Sequence, residues 1–235
     1  MAIKAVLFDL DGTLLPMDLN VFMKHYFGGL AKRLAPYGYD PKTLVDAIWK
    51  GTAAMVGNDG SRTNEEAFWE VFVEAFGDRV KEDECHLDAY YREDFDAVKA
   101  VCGYDPLARA AVEVVRKKGF SAILATNPLF PKVATEARAR WAGFDVSEFD
   151  LVTTYENSGY CKPNLQYYRD ICERTGFSPE ECVMVGNDVS EDMIAESLGM
   201  RVFLLTDCLL NKEDADITRY PSGGFPELIA FLEAL

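Results

Sequence analysis

Short apolar runs alternate along this chain with helix-length amphipathic segments. Ile3 to Phe8 is an almost continuous apolar run that leads into Asp9, Asp11 and Gly12, the pattern of a strand buried on both faces that delivers polar groups at its tip. Comparable runs lie at Ala122–Ala125, Leu151–Val152, Cys182–Val185 and Val202–Leu205. Among and after them the spacing predicts helices over Pro106–Lys118, Pro131–Ala142, Asn164–Thr175, Ser190–Leu198 and Pro226–Leu235. Such alternation predicts an α/β fold, a doubly wound parallel sheet with helices on both faces.

Residues 18–101 break this rhythm. They hold no convincing strand and read as successive amphipathic helices, separated by Gly38-Tyr39-Asp40-Pro41 and Gly57-Asn58-Asp59-Gly60. The expected organisation is therefore a core made of residues 1–17 and 102–235, interrupted by a mainly α-helical module at 18–101. Phe22, Phe27, Trp49, Phe68, Trp69, Phe72 and Phe76 belong to that module, and most are expected to pack in its interior. No repeat of solenoid period is present.

Composition narrows the partners. With 24 basic against 39 acidic residues the formal charge is −15, and the resulting field repels nucleic acid and anionic membrane surfaces. A small phosphorylated ligand would meet the same repulsion, so its site must supply local positive charge or backbone N–H groups. The six cysteines, Cys85, Cys102, Cys161, Cys172, Cys182 and Cys208, form no C-x-x-C pair and have no metal-ligand spacing with His25 or His86. The N-terminus runs directly into the first strand without a charged leader or a long apolar segment, so no signal peptide or membrane span is expected and the location is read as cytoplasmic. A monomer or weak homodimer is expected.

The candidate chemistry sits at strand tips, where open α/β sheets bind their ligands. In Asp9-Leu10-Asp11-Gly12-Thr13-Leu14 two carboxylates one residue apart on extended chain point to the same side, and a bend at Gly12 lets both address one group. One can attack phosphorus while the other manages the proton. The competing reading is a polar strand-to-helix turn with Asp and Gly as turn formers. At this point the sequence resembles the haloacid dehalogenase-like hydrolases, whose first motif reads D-x-D-G-T after a hydrophobic strand. The resemblance implies a Rossmann-like core with a helical cap, Asp9 as nucleophile, and Asp11 as general acid and base with its backbone carbonyl on magnesium.

The later motifs follow in order. Thr126, closing the run Ala122–Ala125, resembles the hydroxyl residue of the second motif, implying that it and the N–H of Asn127 bind the phosphoryl group. Lys162-Pro163 resembles the third motif, whose lysine neutralises phosphate and nucleophile; relatives often carry a second proline where this chain has Leu165. Gly186-Asn187-Asp188, with Asp192 four residues on, resembles the fourth motif in a variant where Asn187 separates glycine from acid. That makes Asp188 the expected metal ligand, and Asp192 the residue that holds the metal's water or positions Lys162, with Glu191 a less favoured substitute. Asp188 also reads as a helix N-cap, and Asp192 as a first-turn acid. Two carboxylates and a carbonyl suit Mg2+, a hard cation that keeps several waters.

The resemblance implies Mg2+-dependent hydrolysis of a small phosphorylated metabolite, a phosphate monoester, through an aspartyl-phosphate on Asp9. Asp11 and Asp188 argue against metal-free dehalogenation. A phosphomutase, a phosphonate hydrolase using Lys24, Lys32 or Lys50 as a Schiff-base lysine, and a non-catalytic interaction protein are the alternatives. Arg62, Lys24 and Asn58 are candidates for substrate contact, although solvation is the commoner fate of such side chains.

Overall fold

The computed structural model describes residues 2–235. Six strands form one parallel sheet: β1 (Ala5–Phe8), β2 (Ser121–Leu124), β3 (Leu151–Val152), β4 (Cys182–Gly186), β5 (Arg201–Leu205) and β6 (Ser222–Gly223), in the spatial order β3-β2-β1-β4-β5-β6. β1 is central, with Phe8 in register with Leu124 on one side and Val185 on the other. The tips of β1, β2 and β4 therefore converge.

Side-chain alternation divides the interior. Val6, Phe8, Leu124, Val185 and Phe203 face one layer, which includes α6 (Pro106–Lys117), α7 (Lys132–Trp141) and α9 (Phe225–Glu233). Ala5, Leu7, Ile123, Met184 and Leu204 face the other, built on α8 (Leu165–Thr175). Both faces of every central strand are covered, which is why those strands read as unbroken apolar runs.

Between β1 and β2 the chain is helical from residue 19 to 101. It forms α1 (Leu19–Leu34), α2 (Pro41–Val56), α3 (Asn64–Phe76), the short α4 (Arg79–Glu82) and α5 (Glu84–Ala89), a π turn at Tyr90–Asp94 and a 3₁₀ segment at Phe95–Val101. The helix starts are written locally. Asp18 accepts from the N–H groups of Asn20 and Val21, Asp40 caps α2 with Pro41 in its first turn, and Thr63 and Glu66 form a reciprocal capping box on α3. The chain enters and leaves this region side by side, since Met17 pairs with Cys102 and the Gly103 N–H donates to the Pro16 carbonyl at 2.7 Å. Phe22, Tyr26, Tyr90 and Phe95 continue the apolar layer of α7, where the Phe95 and Trp141 rings lie 5.0 Å apart and the Trp141 indole N–H donates to Asp96.

Three features differ from the sequence expectation. β6 adds a sixth strand that two residues of Ser-Gly could not announce. Residues 190–198 do not make the expected helix; only a 3₁₀ segment, Met193–Leu198, forms. Asp188 caps this stretch by accepting from the N–H groups of Ser190 and Glu191, while Asp192 accepts from the Asp188 N–H. Asn58 is buried rather than solvated, donating to the Arg62 carbonyl and the Asn64 side chain. Among the described residues no helix is long and apolar enough to cross a membrane, and all six cysteines are free.

In α2, Gly51 lies against the ring of Phe68 on α3, where an added Cβ would come to 2.5 Å from the ring edge. Gly51→Ala is expected to lower stability by about 1–3 kcal/mol through overpacking, read from the urea midpoint.

Candidate active site

The tips of β1 and β4 and the loop between β3 and α8 meet at a buried ammonium. Lys162 is 1% exposed, and its Nζ donates to Asp9 Oδ1 at 2.9 Å and to Asp192 Oδ1 at 2.7 Å. Burial opposes the charged lysine, but Asp192 and Asp9 outweigh it, so its pKa lies well above the ordinary value. Burial pushes the Asp192 carboxyl upward, with Lys162 opposing that shift. Beneath the ammonium, Tyr167 and Tyr168 form an aromatic floor; the Tyr167 hydroxyl donates to the Thr126 carbonyl at 2.9 Å and the Tyr168 hydroxyl to that of Glu191 at 2.5 Å.

The second oxygen of Asp9 is held from the other side. Thr13 Oγ1 lies 3.0 Å from both Asp9 Oδ2 and Asn187 Oδ1, sharing its single proton between them. Asn187 is oriented in turn by donating to the Cys208 carbonyl at 2.7 Å. This close approach explains Gly12: its φ of +85° suits glycine, and an added Cβ would collide with the Asn187 amide.

Asp11 has a different environment from Asp9. Its Oδ2 pairs with the guanidinium of Arg138, whereas its Oδ1 is buried and has no hydrogen-bond partner among the described residues. Burial raises its pKa to about 6, with Arg138 opposing that rise and Asp9 adding to it. Arg138 is itself fully buried on α7, donating to the Ala134 carbonyl and Thr135 hydroxyl, with its guanidinium carbon 4.4 Å from the centre of the Phe130 ring. Sequence reasoning missed Arg138. Its one signal was an arginine on the face of α7 that also carries the small residues Ala134, Thr135 and Ala139, a pattern without motif status.

The other expected positions gather here as well. Asp188 accepts all its side-chain hydrogen bonds on Oδ1, from Ser190 N and Oγ and from Glu191 N, which leaves Oδ2 free of protein partners among the described residues. It acts as a cap and still presents an oxygen. Asn127 braces the Lys162 loop, accepting from the Lys162 N–H at 3.2 Å and donating to Glu191 at 3.0 Å. Asp192, not Glu191, reaches Lys162. Thr126 is buried and joins Asp9, Asp11, Asp188 and Asp192 in lining a cavity of about 710 Å³. No cluster of three or more His, Cys, Asp or Glu side chains suited to a metal occurs among the described residues. The oxygen donors available are those of Asp9 and Asp188 with nearby backbone carbonyls, a set that matches a cation keeping much of its water.

The helical region roofs this cavity, and its aromatic residues mostly keep the expected interior role, Phe22 and Phe72 buried in the core and Phe27, Phe68, Trp69 and Phe76 packed against it, while Phe68, Trp69 and Phe72 also line the cavity and Trp49 is exposed there. Arg62, Lys24 and Asn58 do not, and neither do Lys32 and Lys50. Arg62 pairs instead with Glu70.

The parallel sheet places these carboxylates and the buried lysine at its carboxyl edge, where open α/β folds bind their ligands. The chain belongs to the haloacid dehalogenase-like hydrolases, whose family profile matches residues 3–195. It is similar to a glyceraldehyde 3-phosphate phosphatase of Methanocaldococcus jannaschii, 26% identical over 99% of this chain and 98% of that one. A protein of the same name from Methanothermobacter thermautotrophicus is 38% identical over 66 residues, so the chain spans only 29% of that relative's length. Among solved structures, a HAD phosphatase from Thermococcus onnurineus superposes with TM-score 0.58 at 22% identity, covering 98% of each chain. A 2-haloacid dehalogenase from Pseudomonas syringae pv. Tomato DC3000 superposes with TM-score 0.62 at 20% identity, covering 97% of this chain and 99% of that one. These structural likenesses show the shared fold. Family and phosphatase-named relatives together support a phosphatase.

Replacing Lys162 by Met strands two carboxylates, one of them almost fully buried. The expected cost is about 3–5 kcal/mol of folding stability by urea denaturation. Lys162→Met combined with Asp192→Asn is expected to recover part of that loss.

Proposed function

We propose that this chain is a Mg2+-dependent phosphatase that hydrolyses a small phosphorylated metabolite, a phosphate monoester, through an aspartyl-phosphate on Asp9. The observation that carries the reading is the Asp9 carboxylate fixed between the Lys162 ammonium and the Thr13 hydroxyl at the floor of a cavity. Both contacts orient an oxygen for in-line attack, and Lys162 offsets the repulsion between carboxylate and phosphate that an acidic protein would otherwise impose.

In the first step Asp9 attacks phosphorus and the leaving-group oxygen takes a proton from Asp11. In the second, Asp11 removes a proton from water, whose oxygen attacks the phosphorus of the aspartyl-phosphate and releases inorganic phosphate and free Asp9. A group that must serve as acid and then base works best with a pKa near the working pH. The elevation of Asp11 to about 6 supports that double role, and its unpartnered buried Oδ1 supplies an atom for the transferred proton. Thr126 and the backbone N–H of Asn127 are assigned to the phosphoryl oxygens. Arg138 is assigned as a positioning residue that holds the second oxygen of Asp11.

The residues fit Mg2+: Asp9 and Asp188 with the backbone carbonyl of Asp11 would hold it. When bound it supplies neutralisation of charge on the phosphoryl group. Asp192 keeps Lys162 in place. Residues 18–101 serve in this reading as a cap over a core of 1–17 and 102–235, excluding water and choosing the ester. The lysines needed for a phosphonate hydrolase, Lys24, Lys32 and Lys50, lie outside the cavity lining, which weighs against that alternative.

Phosphate release from a panel of phosphorylated metabolites is expected to require Mg2+, to stop on chelation and to fall by about a thousandfold or more in Asp9→Asn. Turnover that persists in Asp9→Asn rejects the nucleophile assignment. Arg138→Lys keeps the charge but not the fork, and is expected to lower kcat by about tenfold or more with a smaller change in KM.

A further inference from the structure

The floor of the cavity holds the charged groups of the candidate active site, and the roof, which faces whatever alcohol the phosphate is attached to, is largely apolar with carboxylates among its side chains. We propose that the leaving group is a bulky apolar alcohol, aromatic or branched-aliphatic, that carries no second anionic group. This rests on the phosphatase reading above.

Size is the first argument. A cavity of about 710 Å³ lies in the range that accommodates ligands far larger than a triose. A three-carbon phosphate anchored at Asp9 would leave most of it to water.

The chemistry of the walls is the second. Met23, Trp49, Phe68, Trp69, Leu87 and Tyr91 line the helical side. Such walls offer dispersion and aromatic faces to an apolar body. Trp49 is 49% exposed and Leu19 38% exposed. These two apolar side chains at the cavity remain in water when the site is empty, and an apolar ligand would cover them.

Charge is the third. Glu65, Glu84, Asp88 and Glu156 line the same cavity. They are close enough to act on one another: burial and then the charges of Glu156 and Glu84 raise the pKa of Glu65. Glu156 also has a buried oxygen without a hydrogen-bond partner among the described residues. The cations in the lining, Arg92, Lys132 and Lys212, are all exposed, and Lys132 lies 3.8 Å from Glu136. Lys162 serves the phosphate end alone. A carboxylate or second phosphate at the far end would meet negative charge with no buried cation to receive it.

The experiment is phosphate release with Mg2+ from five monoesters: glyceraldehyde 3-phosphate, phosphoglycolate, 3-methylbutyl phosphate, 2-phenylethyl phosphate and the para-carboxylate of the last. Asp9→Asn is assayed on the best of them. The two esters of uncharged apolar alcohols are expected to lead in kcat/KM by about tenfold or more over the triose phosphate, and the para-carboxylate to fall by about tenfold or more against its parent. Trp69→Ala should shrink the aryl-over-triose ratio, and Glu65→Gln with Glu156→Gln should shrink the carboxylate penalty, two ratios that a general loss of stability would leave alone. If glyceraldehyde 3-phosphate or phosphoglycolate leads and Asp9→Asn abolishes its turnover, this inference is overturned while the phosphatase reading stands. No release from any of the five overturns both.

Discussion

A lysine ammonium removed from water can persist only between carboxylates, and in this protein that requirement ties three distant stretches of chain together. Lys162 sits between Asp9 at the end of β1 and Asp192 beyond the end of β4. Each partner alone would be a buried, uncompensated charge, so neither strand tip nor the loop before α8 can shift without exposing one. The Tyr167 and Tyr168 hydroxyls, the Asn127 amide and the Asp192 bond to the Asp188 N–H then satisfy the backbone around the ion pairs.

Within this frame the two aspartates of the first motif are separated in character by their neighbours. Asp9 is gripped on both oxygens, by Lys162 and by Thr13. Asp11 is gripped on one, by Arg138, and its other oxygen is buried and open. Two identical side chains one residue apart become one carboxyl held at both oxygens and another with a raised pKa, and environment alone makes the difference.

The helical roof adds a second contrast. Its apolar faces and carboxylates surround a charged floor, so the cavity has water-excluding walls where the proposed chemistry needs strong electrostatics and anion-repelling groups farther out. The same aromatic residues that continue the core through Phe22, Tyr26 and Phe95 give way, at Trp49, Phe68 and Trp69, to surfaces with space beside them.

The chain by itself determined five of the six strands, the helical interruption after β1 and the gathering of Asp9, Asp11, Thr126, Lys162, Asp188 and Asp192, because buried parallel strands leave continuous apolar runs and polar tips at fixed places. Four strand–tip motifs in order constrain one another, which no single Asp-Gly or Lys-Pro could do. Sequence could not foresee the shortened segment after Asp188, because both the spacing and the acidic cap favour a helix there and only the tertiary structure shows the 3₁₀ segment Met193–Leu198 in its place. It also could not separate the aromatic residues that pack from those that line the cavity, because helical periodicity records which face is apolar but not what stands opposite. Arg138 was invisible for the same reason: its partner Asp11 lies 127 positions away, and only the packing of α7 against the end of β1 brings a buried guanidinium to that carboxylate.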